Sequence, residues 1–107
     1  MLALCIISTN LYATDYTISD GTTQTTRAVL TAEDTLTVAS GGTLDYDGYY
    51  AVNADGITFN AQNTTINNAG TIQTNQNYGI DISDSTNASI VNSGTITNDA
   101  ANKSYII

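Results

Sequence analysis

The chain has 107 residues, enough for one small domain or a piece of a larger one. Apolar residues make up 41% and charged residues 11%, so a core can form, but the surface must be built from Thr, Ser, Asn and Gly, which suits β-ladders better than helices. Net charge is −8 with Arg27 and Lys103 the only cations, which excludes nucleic acid and an anionic membrane surface as partners. The lack of histidine, with Cys5 alone, excludes disulfide staples and the usual zinc sites.

Residues 2–13, LALCIISTNLYA, are the most apolar stretch and carry no charge. They read as the tail of a secretory signal spanning 1–13, with cleavage after Ala13. A basic n-region is missing and the segment is short for a signal, which is accounted for if the chain begins at an internal Met. The alternative is a buried first strand. Cys5 follows Leu2-Ala3-Leu4, and Leu4 is too large for a lipoprotein processing site, so Cys5 reads as an apolar residue of the signal. No run reaches the ~20 apolar residues that a membrane-spanning helix needs, so no direct membrane insertion is expected. Residues 14–34 are expected to form an N-terminal cap and first strands, with Glu33-Asp34 as a solvated turn.

From Thr35 onward one phrase recurs: aliphatic-x-x-x-Gly-Thr-aliphatic. It appears as VASGGTL at 38–44, INNAGTI at 66–72 and IVNSGTI at 90–96. This sets Val38, Ile66 and Ile90 in register, then Gly42, Gly70 and Gly94, then Leu44, Ile72 and Ile96. Both intervals between the glycines fall in the twenties, the second shorter than the first. Between the copies, Tyr50-Ala51-Val52 returns after a similar interval as Tyr78-Gly79-Ile80, and Tyr105-Ile106 follows one interval further on. Gly56-Ile57-Thr58-Phe59 reads as extra strand within the first full unit. The pairs Leu36/Val38, Ile57/Phe59 and Ile80/Ile82 carry the two-residue period of strands. Asn, Asp, Ser and Gly separate the short runs.

A period in the twenties with several short strands predicts an all-β fold: a right-handed parallel β-helix, or solenoid, of about three coils over 35–107, incomplete at its C-terminal end. A disordered linker would not space its aliphatics regularly, and an immunoglobulin-like sandwich would not repeat one phrase. The solenoid assigns each repeated residue a place. Ile66 should stack over Val38 and under Ile90. Gly42, Gly70 and Gly94 should turn the chain at positive φ. Asn68 and Asn92 should bond coil to coil as an amide ladder. Thr43, Thr71 and Thr95 should line up outside. Tyr50, Tyr78 and Tyr105 should form a structural ladder.

Candidate chemistry is sparse. Asp45-Tyr46-Asp47-Gly48 is the densest acidic spot and reads as a solvated loop between coils, since an EF-hand calcium loop needs further ligands and a closing Glu that Tyr49 onward does not supply; in strand geometry Asp45 and Asp47 would share a face, which leaves calcium or acid/base chemistry as the alternative. Asp81 and Asp84 flank a turn. Arg27 and Lys103 lie near opposite ends of the sequence, so no cluster of acid and base is visible, and Ser and Thr have no nearby base. No catalytic residue, metal or cofactor is assigned, and the chain is expected not to be an enzyme. Tyr46, Tyr49 and Tyr50 form the one aromatic cluster and are the candidate surface contacts.

NAGTI and NSGTI, each preceded by an aliphatic and separated by a Tyr-Gly-Ile phrase, resemble the passenger domains of autotransporters, the type V secreted proteins of Gram-negative bacteria. TDYTISDGTTQTT and LTVASGGTL resemble the opening of such passengers. The resemblance covers most of the chain from about Thr35. It implies a right-handed parallel β-helix preceded by a signal peptide and followed by a C-terminal outer-membrane β-barrel. That barrel would exceed this chain's whole length, so an N-terminal fragment of a longer protein is expected. The resemblance also implies passage through the periplasm to the cell surface. There the segment would act as a rigid stalk with adhesive contacts: a host or bacterial surface protein or glycan, or another copy of itself. The alternatives are a fragment of a polysaccharide-degrading β-helix enzyme, or a purely structural matrix or filament protein.

Overall fold

The structure is a computed structural model that describes residues 13–76, 78–99 and 107. The expected signal segment up to residue 12, together with Lys103, Tyr105 and Ile106, lies outside these residues. Short strands follow one another in chain order: β1 (Asp15–Ile18), β2 (Thr23–Gln24), β3 (Ala28–Val29), β4 (Thr35–Val38), β5 (Thr43–Tyr46), β6 (Tyr50–Asn53), β7 (Thr65–Asn68), β8 (Thr71–Thr74), β9 (Tyr78–Asp81), β10 (Ser89–Asn92) and β11 (Thr95–Asn98). They assemble into three sheets, β1-β4-β7-β10, β2-β5-β8-β11 and β3-β6-β9, and every pairing is parallel. Successive strands fall on successive sheets, so the chain winds through β1–β3, β4–β6 and β7–β9 and begins again with β10 and β11. This is the β-solenoid expected from the repeat, and the described residues contain no helix.

Alternation along each strand decides which side chains point inward. Leu36, Ile66 and Ile90 are paired neighbours on the first sheet, Leu44, Ile72 and Ile96 on the second, and Ala28, Val52 and Ile80 on the third. Ile66, Ile72 and Ile80 of the third coil are fully buried, each contributing ~1.5–3 kcal/mol of burial. Ile90 and Ile96, one coil higher, are only partly covered. Outside, Thr23, Thr43, Thr71 and Thr95 form an unbroken threonine column.

The register departs from expectation at one place. Val38 pairs with Asn68, and Ile66 lies on Leu36. The corner between first and second sheets is four residues long in the first two coils (19–22 and 39–42) and two residues long in the next two (69–70 and 93–94). Counting back from the glycine therefore lands two residues off. The two corner types close differently. In the long ones, Thr22 N bonds Ser19 O at 3.0 Å and Gly42 N bonds Ala39 O at 2.8 Å, each an ordinary β-turn. The short one at 69–70 is closed by the Asn68 side chain, whose Oδ1 accepts from Gly70 N at 3.2 Å.

Gly42, Gly70 and Gly94 are not at positive φ; among the glycines only Gly21 is, at 77°. Close approach requires them instead. A Cβ on Gly42 would meet Ile18 O at 2.6 Å, one on Gly70 would meet Gly42 O at 2.2 Å, and one on Gly94 would meet Gly70 O at 2.1 Å. The left-handed positions belong to other residues. Glu33, Asn63 and Asn87 have φ of 69°, 53° and 59° and occupy the same corner of successive coils, two residues before β4, β7 and β10.

Gly56–Phe59 is a turn, not a strand. Asp55 Oδ1 accepts from Ile57 N at 2.7 Å and Thr58 N at 3.2 Å, and Phe59 N reaches Asp55 O at 3.1 Å, so the segment coils outward and leaves Ile57 exposed. Residues 15–29, expected as cap and first strands, supply β1–β3 and make a coil of their own.

Candidate functional site

The tyrosine cluster lies at the corner where the chain passes from the second sheet to the third. Tyr46 ends β5, Tyr50 opens β6 and Tyr78 opens β9 one coil above. Pairing of β6 with β9 puts Tyr50 opposite Tyr78, and their rings stack with centroids 5.9 Å apart and an interplanar angle of 25°. This is the expected ladder over two coils; its third member lies outside the described residues. Tyr49 tilts against Tyr50 at 6.3 Å and 49°, and is 58% exposed. Tyr46 and Tyr50 are half-buried. Of the three candidate contact residues, Tyr49 thus presents the most open ring.

Arg27 belongs to this cluster, which sequence reasoning missed by treating it as an isolated cation. It immediately precedes β3, one coil below Tyr50. Its Cζ lies 4.9 Å from the Tyr46 ring centroid and 5.7 Å from that of Tyr50, and its Nε donates to the Tyr50 carbonyl oxygen at 2.9 Å. Each ring contact is worth ~0.5–1 kcal/mol at an exposed site. The 23-residue separation of Arg27 and Tyr50 is about one coil, and that spacing was the available signal. Gly48 completes the corner. A Cβ there would meet Tyr46 Cε1 at 2.3 Å, so only glycine lets that ring fold back over the turn.

The acidic residues are used structurally. Asp45 and Asp47 are both exposed; Asp47 accepts from Asn75 Nδ2 of the next coil, while Thr74 Oγ1 donates to Gly48 O. Asp34, expected to be a solvated turn residue, is buried. Its Oδ1 accepts from Thr14 N at 2.8 Å and its Oδ2 from Thr31 N at 2.8 Å and Thr31 Oγ1 at 3.1 Å, clamping the chain before β1 to the corner before β4. Asp81 Oδ1 takes Ser83 N at 3.0 Å and Ser83 Oγ at 2.7 Å. The amide donors of Ile57, then Thr58, hold the Asp55 carboxyl below the ordinary aspartate range. No three His, Cys, Asp or Glu side chains cluster as metal ligands among the described residues.

Two amide ladders join the upper coils. Asn68 is buried, and its Nδ2 donates to Asn92 Oδ1 at 2.8 Å and to Thr95 O at 3.0 Å. At the left-handed corner, Asn87 Nδ2 donates to Asn63 Oδ1 at 3.0 Å and Asn63 Nδ2 to Glu33 Oε1 at 2.7 Å. A cleft of about 520 Å³ runs along β9, the last strand of the third sheet among the described residues, lined by Tyr78, Ile80, Asp81 and Ile82 among others. Comparison of the chain with protein-family models, curated proteins and solved structures finds no match.

Proposed function

We propose that the chain is a non-catalytic segment of a secreted autotransporter passenger, displayed on the surface of a Gram-negative cell. It serves as a rigid stalk whose tyrosine corner makes adhesive contacts with another cell, a host surface or a further copy of itself. The observation that carries this reading is the pairing of a continuous parallel ladder with an exposed aromatic ring. Parallel pairing through successive coils makes each corner a fixed point on a stiff body. Tyr49, open beside the stacked Tyr50 and Tyr78, supplies a large contact area with little side-chain entropy to lose.

The test is to join the chain to an outer-membrane β-barrel, display it on a Gram-negative host, and count cell–cell and cell–surface adhesion. Displayed chain should raise adhesion above barrel alone, and Tyr49→Ala should reduce the gain several-fold without changing surface accessibility to protease. Adhesion equal to that of the bare barrel defeats the proposal.

A further inference from the structure

The chain carries ten carboxylates, yet the Arg27 guanidinium forms no ion pair with any of them among the described residues. In a protein so rich in acid, an arginine left without a carboxylate is a departure from what charge alone would produce. Its environment accounts for how such a group is held. The Tyr46 and Tyr50 rings lie within 4.9 and 5.7 Å of Cζ, and Nε is fixed to the Tyr50 carbonyl oxygen at 2.9 Å. With rings against it and one N–H committed, the guanidinium is oriented before any ligand arrives. Its Nη groups make no hydrogen bond to the described residues.

An in-plane pair of N–H donors matches two coplanar acceptor oxygens, the geometry of a carboxylate. Tyr49, whose ring centroid lies 6.3 Å from that of the Tyr50 ring contacted by Arg27, offers an open apolar face with a polar edge, the surface on which the C–H face of a sugar ring packs. We propose that this corner binds a carboxylate-bearing saccharide of the uronic-acid class. Arg27 takes the carboxylate through its Nη groups and Tyr49 stacks on the sugar ring. The inference rests on the adhesive reading of the tyrosine corner and narrows it to a ligand chemistry. The net charge of −8 opposes an anion at long range, but screening confines that effect to ~8 Å at physiological ionic strength.

The full chain is titrated at that ionic strength with a short uronic-acid oligosaccharide, with a neutral gluco-oligosaccharide of equal length, and with acetate, each followed by amide chemical shifts. The acidic oligosaccharide should bind saturably and shift amides around residues 27 and 46–50. The neutral oligosaccharide should bind at least about tenfold more weakly, since one charge-assisted hydrogen bond exceeds the free energy of a tenfold change, and acetate should also bind more weakly because it has no ring to stack on Tyr49. Arg27→Gln and Tyr49→Ala should each weaken binding by a similar factor. Arg27→Lys, which keeps the charge and much of the aliphatic stem but not the planar donor pair, covers the case in which Arg27→Gln unfolds the corner, and should also weaken binding. Unchanged affinity in Arg27→Lys, or equal affinity for acidic and neutral sugars, overturns the proposal. Tyr49-dependent binding of the neutral sugar alone would leave the adhesive reading standing while removing this one. Absence of all sugar binding together with Tyr49-dependent cell adhesion would do the same.

Discussion

At the scale of single residues, the stacking distance between coils is felt most sharply where two backbones meet. The corner glycines sit so close against the carbonyls of the preceding coil that a methyl group cannot enter without pushing coils apart. Gly70→Ala should therefore cost about 1–3 kcal/mol, the usual range for overpacking, read from urea unfolding; a loss under about 0.5 kcal/mol would show that the corner has room. Glu33 presents the opposite case. It holds φ at 69°, where its successors in the column are both asparagine. Glu33→Asn should raise stability by about 1 kcal/mol, because Asn tolerates this conformation and can still accept from Asn63 Nδ2. An unchanged midpoint would mean that the longer carboxylate offsets its backbone strain. Neither point was legible in the sequence. Glycine in a repeated turn invites a positive-φ reading, whereas contact with another coil leaves no local mark, and a glutamate before a strand looks like solvated charge.

Among the elements, strands were legible and corners were not. The two-residue alternation and the Gly-Thr-aliphatic phrase located β5, β8 and β11, because inward positions must be apolar in every coil. The first coil was hidden because Gln24 stands where Leu44, Ile72 and Ile96 stand above it. Ile57 and Phe59 imitate a strand by spacing alone, and Asp55 overrides that pattern by capping two amides. The aromatic half of the candidate site was visible as a tyrosine cluster; Arg27 joined it only once the coil length was known. The Asp55 turn has its own signature with pH. The folded-state pKa lies below the unfolded one, so the stabilisation is present above the ordinary aspartate range and lost as pH falls through the lowered value. The difference in unfolding midpoint between the native chain and Asp55→Ala should hold steady from about pH 5 to 7 and close below about pH 4. A gap that persists at lower pH would show that the carboxylate's charge is not what caps the turn.

For the molecule as a whole, contacts pass only between adjacent coils, so burial depends on having a neighbour on each side. Ile66 has Leu36 on one side and Ile90 on the other, while Ile96 has Ile72 on one side and remains partly exposed. Ile66→Ala should cost about 2–5 kcal/mol and Ile96→Ala less than half of that, compared by denaturant midpoints; equal losses would contradict the layered core. The same layering separates length from height. Strands of the first sheet open at Asp15, Thr35, Thr65 and Ser89, so no two circuits use the same amount of chain. Each of those strands nevertheless keeps the same length, and the surplus is taken up outside the first sheet, much of it at the corners. Each circuit adds ~4.8 Å whatever its residue count. A rod of this kind is a ruler graduated in whole turns. Residues gained or lost at a bend alter its outline without moving its tip, and only the gain or loss of a full circuit changes how far it reaches.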